Sequence, residues 1–297
     1  MKTVLLLTGR NIRIYFKDKV TFFTSLITPV ILLILYVTFL RSVYVDSLLS
    51  GMPEGFEIPE KLINGFTGGW LVSSILGVSA VTVAFCSNNI MAMDKVSKRI
   101  NDFYVTPVKR GQMAVAYYFA NFFTTLLVCL IALAVSLLFL GKTGWYLTLQ
   151  DIPYILLDVL GCVFFGTSLA AFVEQFVSTQ GGISAVSTAV SSMYGFVCGA
   201  YMPISQFADG IQKFVSFVPG TYGTVLLRNH FMHGAIEELT KNLPAEMTEE
   251  LRKAFDNTIF FFDNEVSVAA QYAVLFGSSA VILLLYVLTS NLRKKKR

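Results

Sequence analysis

The sequence predicts an all-α, polytopic integral membrane protein with six transmembrane helices, and three observations carry that prediction. Of 297 residues, 55% are hydrophobic and only 14% charged, a balance far from that of a water-soluble domain. The apolar residues come in unbroken blocks, not at the helical or strand period of a soluble core. Each block holds roughly 20 residues, enough at about 1.5 Å per residue to cross ~30 Å of hydrocarbon. The charges gather between the blocks. Lipid offers the backbone no hydrogen bonds, so a lone apolar block must pair its polar groups internally, as a helix.

The elements follow in order. On a helical wheel, Val4, Leu5, Ile12, Tyr15 and Phe16 share one arc, and Lys2, Arg10, Arg13 and Lys17 the other. This predicts an interfacial helix over 1–19, its basic face drawn to anionic headgroups; the other reading extends the first span. Spans are expected at 20–40, 69–91, 113–140, 153–173, 182–202 and 268–290. The first has no small-residue cleavage site ahead of a soluble domain and reads as a retained anchor. Basic residues sit on one side: Lys2, Arg10, Arg13, Lys17 and Lys19, then Lys95, Lys98, Arg99, Lys109 and Arg110, then the run 293–297. The other side has Arg41, Lys61 and Lys142, then five basic residues diluted by nine acidic ones between Pro203 and Val266. The positive-inside rule makes the first side, with both termini, cytoplasmic.

The region 203–267 is expected outside. Gly210, Pro219, Gly220 and Gly223 interrupt an apolar run there, predicting one or two short re-entrant helices in the outer leaflet. Further on, Met247, Leu251 and Phe255 follow a helix start at Pro244 at i, i+4, i+8, the pattern of a small amphipathic cap. No repeat, low-complexity tract or linker divides the chain, so 1–297 reads as one transmembrane domain.

Candidate chemistry is sparse. Cys86, Cys129, Cys162 and Cys198 fall in different blocks without metal or redox spacing and read as small apolar fillers. His230 and His233, at i, i+3, make too few ligands for a metal site, and none is expected. No nucleophile, base or carboxylate constellation stands out, so no catalytic residue is assigned. No G-x-x-x-x-G-K-[ST] motif occurs, so any ATP is hydrolysed elsewhere. Asp158 is the one acid well inside a predicted span, either a proton or substrate contact or a wet residue near the outer surface. Glu174 reads as an interfacial contact to a partner or headgroup, and Asn88 with Asn89 as the inner mouth of the second span. Phe85, Tyr117, Tyr118, Phe122 and Phe123 either face a substrate path or pack helices. Gly181, Ala185, Ala189, Gly195 and Gly199 in the fifth block, and Gly69, Ser73 and Gly77 in the second, allow close backbone approach. They serve a subunit interface or route, or packing within the chain.

The inner loop 92–112 holds a charged segment from Asp94 to Tyr104 with Val96, Ile100, Phe103 and Tyr104 among its charges, closed by Pro107. An interfacial helix, a first span opening after Phe22 and Phe23 with Pro29 inside it, a loop ending Thr106-Pro107-Val108-Lys109-Arg110-Gly111, and the late sequences Pro203-Ile204-Ser205-Gln206-Phe207, Val218-Pro219-Gly220-Thr221-Tyr222 and Leu226-Leu227-Arg228 follow one another. In that order the chain resembles the type-2 class of ABC-exporter permeases of the bacterial cell membrane. The resemblance implies a permease that pairs with a second copy or a relative and with two ABC ATPase subunits, which carry the ATP and Mg; nucleic acid has no part. It makes Asp94, Lys95, Lys98, Arg99, Asp102, Phe103 and Tyr104 the coupling segment. Family members carry an acidic residue and a Gly-Thr turn where this chain has Arg99-Ile100-Asn101-Asp102. The implied cargo is amphiphilic, a drug, lipid or peptide; glycan export by the same class and an ion-gradient-driven carrier are the alternatives.

Overall fold

The computed structural model describes residues 2–52, 57–106, 108–241, 243–262 and 264–292, without the side chains of Thr28 and Tyr104. Pro107 and the basic run 293–297 therefore lie outside the described residues, as does the Tyr104 side chain. Helix α1 (Lys2–Lys17) leads to α2 (Lys19–Ser25), α3 (Ile27–Leu35), a π-helical turn at Tyr36–Leu40 and α4 (Arg41–Ser50). Asp18 starts α2 by accepting from the Thr21 amide (3.2 Å) and hydroxyl (2.7 Å), which hold its carboxyl below the usual range. Two long helices follow, α5 (Glu60–Val96) and α7 (Arg110–Thr143), joined through the five-residue α6 (Ile100–Tyr104). Then come α8 (Asp151–Glu174), α9 (Gln180–Val197), α10 (Asp209–Val215), α11 (Pro219–Thr240), α12 (Ala245–Ala254), the hairpin β1 (Phe260–Phe261) and β2 (Asn264–Glu265), and α13 (Val268–Leu292).

Among the described residues, five stretches are long and apolar enough to cross a membrane: Lys19–Ser50, α5, α7, α8 and α13. Helix α9 is not among them, because Ser184, Ser187, Thr188, Ser191 and Ser192 dilute its eighteen residues. Helix α5 is the axle of the bundle. Its apolar window is 89% buried within the chain, against 18% for Lys19–Ser50 and 17% for α13. Those outer helices leave Val37, Leu284, Leu288 and many like them exposed, an apolar surface suited to lipid and not to water. Helix α1 lies on α7 through buried Thr8, Asn11 and Tyr15, while Leu5, Leu6 and Phe16 stay exposed.

Contacts define two ends. At one, Arg10 of α1 meets Asp94 of α5, and Thr289 of α13 donates to Gln175 beyond α8. This is the α6 end. At the other, Tyr146 crowds Gly65 of α5 and Gly234 of α11, and the hairpin precedes α13.

Helix α11 corrects the sequence reading. The predicted short re-entrant pieces include a 22-residue helix, buried along most of its length against α5, α8 and α13. Pro219 sits in its first turn, where the missing N–H costs nothing. Gly220 and Gly223 are contact points, not breakers: a Cβ on Gly223 would lie 2.6 Å from Cys162 Sγ, and one on Gly220 would strike the Tyr194 hydroxyl. Gly69 and Gly77 likewise seat α5 on Phe231 and Thr224 of α11, so the second block's small residues pack this chain. Gly166 of α8 lies against the Ala80 carbonyl of α5. Gly166→Ala is expected to cost about 1–3 kcal/mol by overpacking, seen as a fall of several degrees in the melting temperature in detergent. Gly277→Ala, facing open space, should leave it unchanged.

Candidate functional site

The segment predicted to couple, Asp94 to Tyr104, is built around a side chain outside it. Arg10 donates to both carboxylate oxygens of Asp94, Nη1 to Oδ2 at 2.8 Å and Nη2 to Oδ1 at 3.3 Å. Tyr117 of α7 donates to the same Oδ2 at 2.7 Å. The guanidinium also lies 5.3 Å from the Phe103 ring of α6 and donates to Asn11. One arginine therefore ties α1, α5, α6 and α7. The bidentate hydrogen bond with Asp94 raises the Arg10 pKa above its ordinary value, keeping it charged. The Asp94 side chain is 3% exposed and that of Arg10 31%, so water screens the pair from one side only.

The predicted coupling residues therefore divide. Asp94 is buried and Phe103 half-buried, both facing inward, whereas Lys98, Arg99 and Asp102 are exposed. Lys95 turns back to donate to the Gln175 carbonyl at 3.1 Å. Lys98 holds a left-handed backbone (φ 60°) where α5 ends, turning the chain into α6.

The predicted path residues gather in part: on α7, Phe122 lies 6.3 Å from Tyr118 and 5.7 Å from Phe123, and Tyr117 shares the cluster of Tyr118 and Phe122. Phe85 lies in the main core, and Tyr118 is buried with its hydroxyl 3.4 Å from Ser168. Phe122 is half-buried, and Phe123 is exposed, stacked on Phe119. Asp158 is fully buried, which corrects its reading as a wet surface residue. Its carboxylate takes His230 Nδ1 at 2.6 Å and the Tyr272 hydroxyl at 2.5 Å, while Tyr154 stacks on the imidazole. His233 turns to Asp151 instead, so the two histidines serve different carboxylates. Glu174, expected at an interface, is also fully buried: Asn88 of α5 donates to it at 2.9 Å and Ser187 of α9, which packs on α5, at 3.4 Å.

The fifth block's small residues split as well. Gly181, Ala185 and Ala189 line an exposed face of α9, whereas Gly195 packs on Tyr201 and Gly199 on Ile204. Gly199 takes a left-handed backbone (φ 70°) past the end of α9. Its carbonyl accepts from Arg228 of α11. Sequence reading gave Arg228 no role, yet it is fully buried, paired with Asp256 at 2.7 Å and 4.5 Å from the Trp70 ring. Asp256 also accepts the amides of Ile204 (2.6 Å) and Ser205 (3.1 Å). The signal was an arginine inside the apolar run Val225-Leu226-Leu227, since a buried charge demands a partner.

A family model for ABC-2 family transporter proteins matches residues 42–289, from within α4 to near the end of α13. The chain belongs to the ABC-2 family. It is thus the membrane permease of an ABC transporter, a transport component and not itself an enzyme. No curated protein matches the chain closely enough to stand as a relative. The ABC-2 match takes in the Arg228 cluster and Asp94, whereas Arg10 precedes it.

Proposed function

We propose that this ABC-2 permease is half of an ATP-driven exporter that moves an amphiphilic molecule out of a bacterial cell. Two permeases, copies or relatives, pair above two ABC ATPase subunits, which bind ATP and Mg at the α6 end. That end is cytoplasmic and carries both termini. Helix α9 acts as the sixth span, with its Gly181, Ala185 and Ala189 face available to the second permease, and α10 with α11 re-enters from outside. The observation that carries this reading is the Arg10 bridge. A push on exposed Lys98, Arg99 and Asp102 reaches Phe103, and through Arg10 reaches α1, α5 and α7 together. Alternating access would follow as the paired bundles shift.

The test is the double charge reversal Arg99→Glu with Asp102→Lys. Both side chains are exposed, so the permease should fold with unchanged melting temperature. ATP-dependent efflux should fall at least about tenfold, the effect of ~1.4 kcal/mol in coupling. Wild-type efflux in the double variant would sink the docking face.

The buried Asp158, His230 and Tyr272 group favours a second reading, an ion-gradient-driven carrier. Transport in vesicles without ATP but with a proton gradient would select it, and an ATPase that co-purifies and is required would reject it.

A further inference from the structure

The hairpin end carries an aromatic wedge beside a basic cleft. Phe214 of α10 and Phe217 just after it are 65% and 61% exposed, and Phe261 and Phe262 of the hairpin turn join them. Their rings touch edge to face: Phe217 lies 5.2 Å from Phe261 and 6.1 Å from Phe262, which are 5.0 Å apart. The rings of Phe217, Phe261 and Phe262, each more than a third exposed, form with Phe214 an apolar patch that water disfavours. Behind them opens a cleft of about 400 Å³, whose rim includes Phe260, Phe262, Lys213, Lys253 and Asp209. The Lys253 ammonium sits 5.2 Å over the Phe260 ring. Asp256, at the cleft floor, is already neutralised by Arg228. Among the described lining residues, Lys213 and Lys253 stand against Asp209 once Asp256 is paired, a positive balance.

Position supplies the occupant. Strand β2 ends at Glu265 and the candidate span α13 begins at Val268, so the wedge stands within a few residues of the hydrocarbon boundary. Phenylalanine rings are apolar enough to bury at that boundary, and lysines there meet lipid phosphates. We propose that this end is a phospholipid site: the phenylalanines seat in the outer-leaflet acyl region, and Lys213 with Lys253 hold the phosphate of an anionic headgroup in the cleft. The site needs no ATPase and goes beyond the exporter reading, since it binds lipid whatever the transported molecule is.

The experiment places the full-length permease, without any ATPase, in phosphatidylcholine nanodiscs doped with phosphatidylglycerol. Native mass spectrometry should show phosphatidylglycerol retained on the protein, and Lys213→Gln with Lys253→Gln should weaken retention at least about tenfold. Both lysines are exposed, so the variant should melt as the parent does. Phe261→Trp should add emission that lipids brominated near the headgroup end of the acyl chain quench and aqueous iodide does not. Equal retention by the lysine variant overturns the cleft assignment. Iodide quenching of the new tryptophan overturns the membrane placement. Displacement of the lipid by inorganic phosphate at equal concentration overturns the commitment to lipid in favour of a free phosphate. None of these outcomes depends on ATP, so failure here leaves the exporter reading standing.

Discussion

Arg228→Ala is expected to remove most of the permease's stability. The substitution leaves Asp256 buried with two backbone amides and no counter-charge, and breaking a buried pair in this way costs about 3–5 kcal/mol. Loss of the contact with Trp70 adds roughly 1–2 kcal/mol. Against a total of about 5–15 kcal/mol, the variant should accumulate poorly and aggregate on mild heating in detergent, read by size-exclusion chromatography after a temperature series. Arg228→Lys should rescue little, since an ammonium cannot span Asp256, the Gly199 carbonyl and the Trp70 face at once. Arg228→Met with Asp256→Asn should recover a substantial part. Asn tolerates the left-handed backbone of position 256 (φ 51°), and no charge is stranded. If the double variant is as unstable as Arg228→Ala, stranded charge is not the cause.

The second large effect is functional. Arg10→Ala should leave the bundle folded, because Asp94 keeps the Tyr117 hydroxyl and water enters where the part-exposed guanidinium stood, which the fully buried Arg228 does not allow at Asp256. The loss is about 1 kcal/mol or a little more after allowance for that exposure. Coupling should suffer far more, since the link that this side chain makes from α6 to α1 and α5 is gone. ATP-dependent efflux should fall at least about tenfold, while ATP hydrolysis by the co-purified complex changes less. The charge swap Arg10→Asp with Asp94→Arg should restore part of the efflux. Unchanged efflux in Arg10→Ala would remove Arg10 from the pathway.

These two arginines also show where the sequence was legible. Unbroken apolar blocks give helices because lipid leaves no other way to pair a backbone, so α5, α7, α8 and α13 could be read directly. Helix α11 could not. Its glycines carry the same letters whether they end a helix or let Tyr194 and Cys162 approach one, and only the neighbouring helices decide. Membership in the ABC-2 family was legible from the order of motifs, including Leu226-Leu227-Arg228, although the arginine's role was not. The segment from Asp94 to Tyr104 stood out in the sequence, but its contact with Arg10 did not: Arg10 looked like one more basic residue on an amphipathic face, 84 residues before Asp94. Small residues in the fifth block share one periodicity, yet Gly181, Ala185 and Ala189 are exposed and Gly195 and Gly199 are packed, a division made by how α9 turns into Tyr201 and Ile204.

Both arginine clusters hang on the same helix. Helix α5 brings Asp94 to the first, and Trp70 and Ser74 to the second. Its 37 residues make a rod of about 55 Å, nearly twice the ~30 Å of the hydrocarbon layer. Pivoted near its middle, such a rod behaves as a see-saw. A tilt of about 10° swings each tip by roughly 5 Å in opposite directions, close to the rise of one helical turn. With that pivot, a displacement of that size at Asp94 would reach the opposite end of α5 with its direction reversed, without any change in the rod itself.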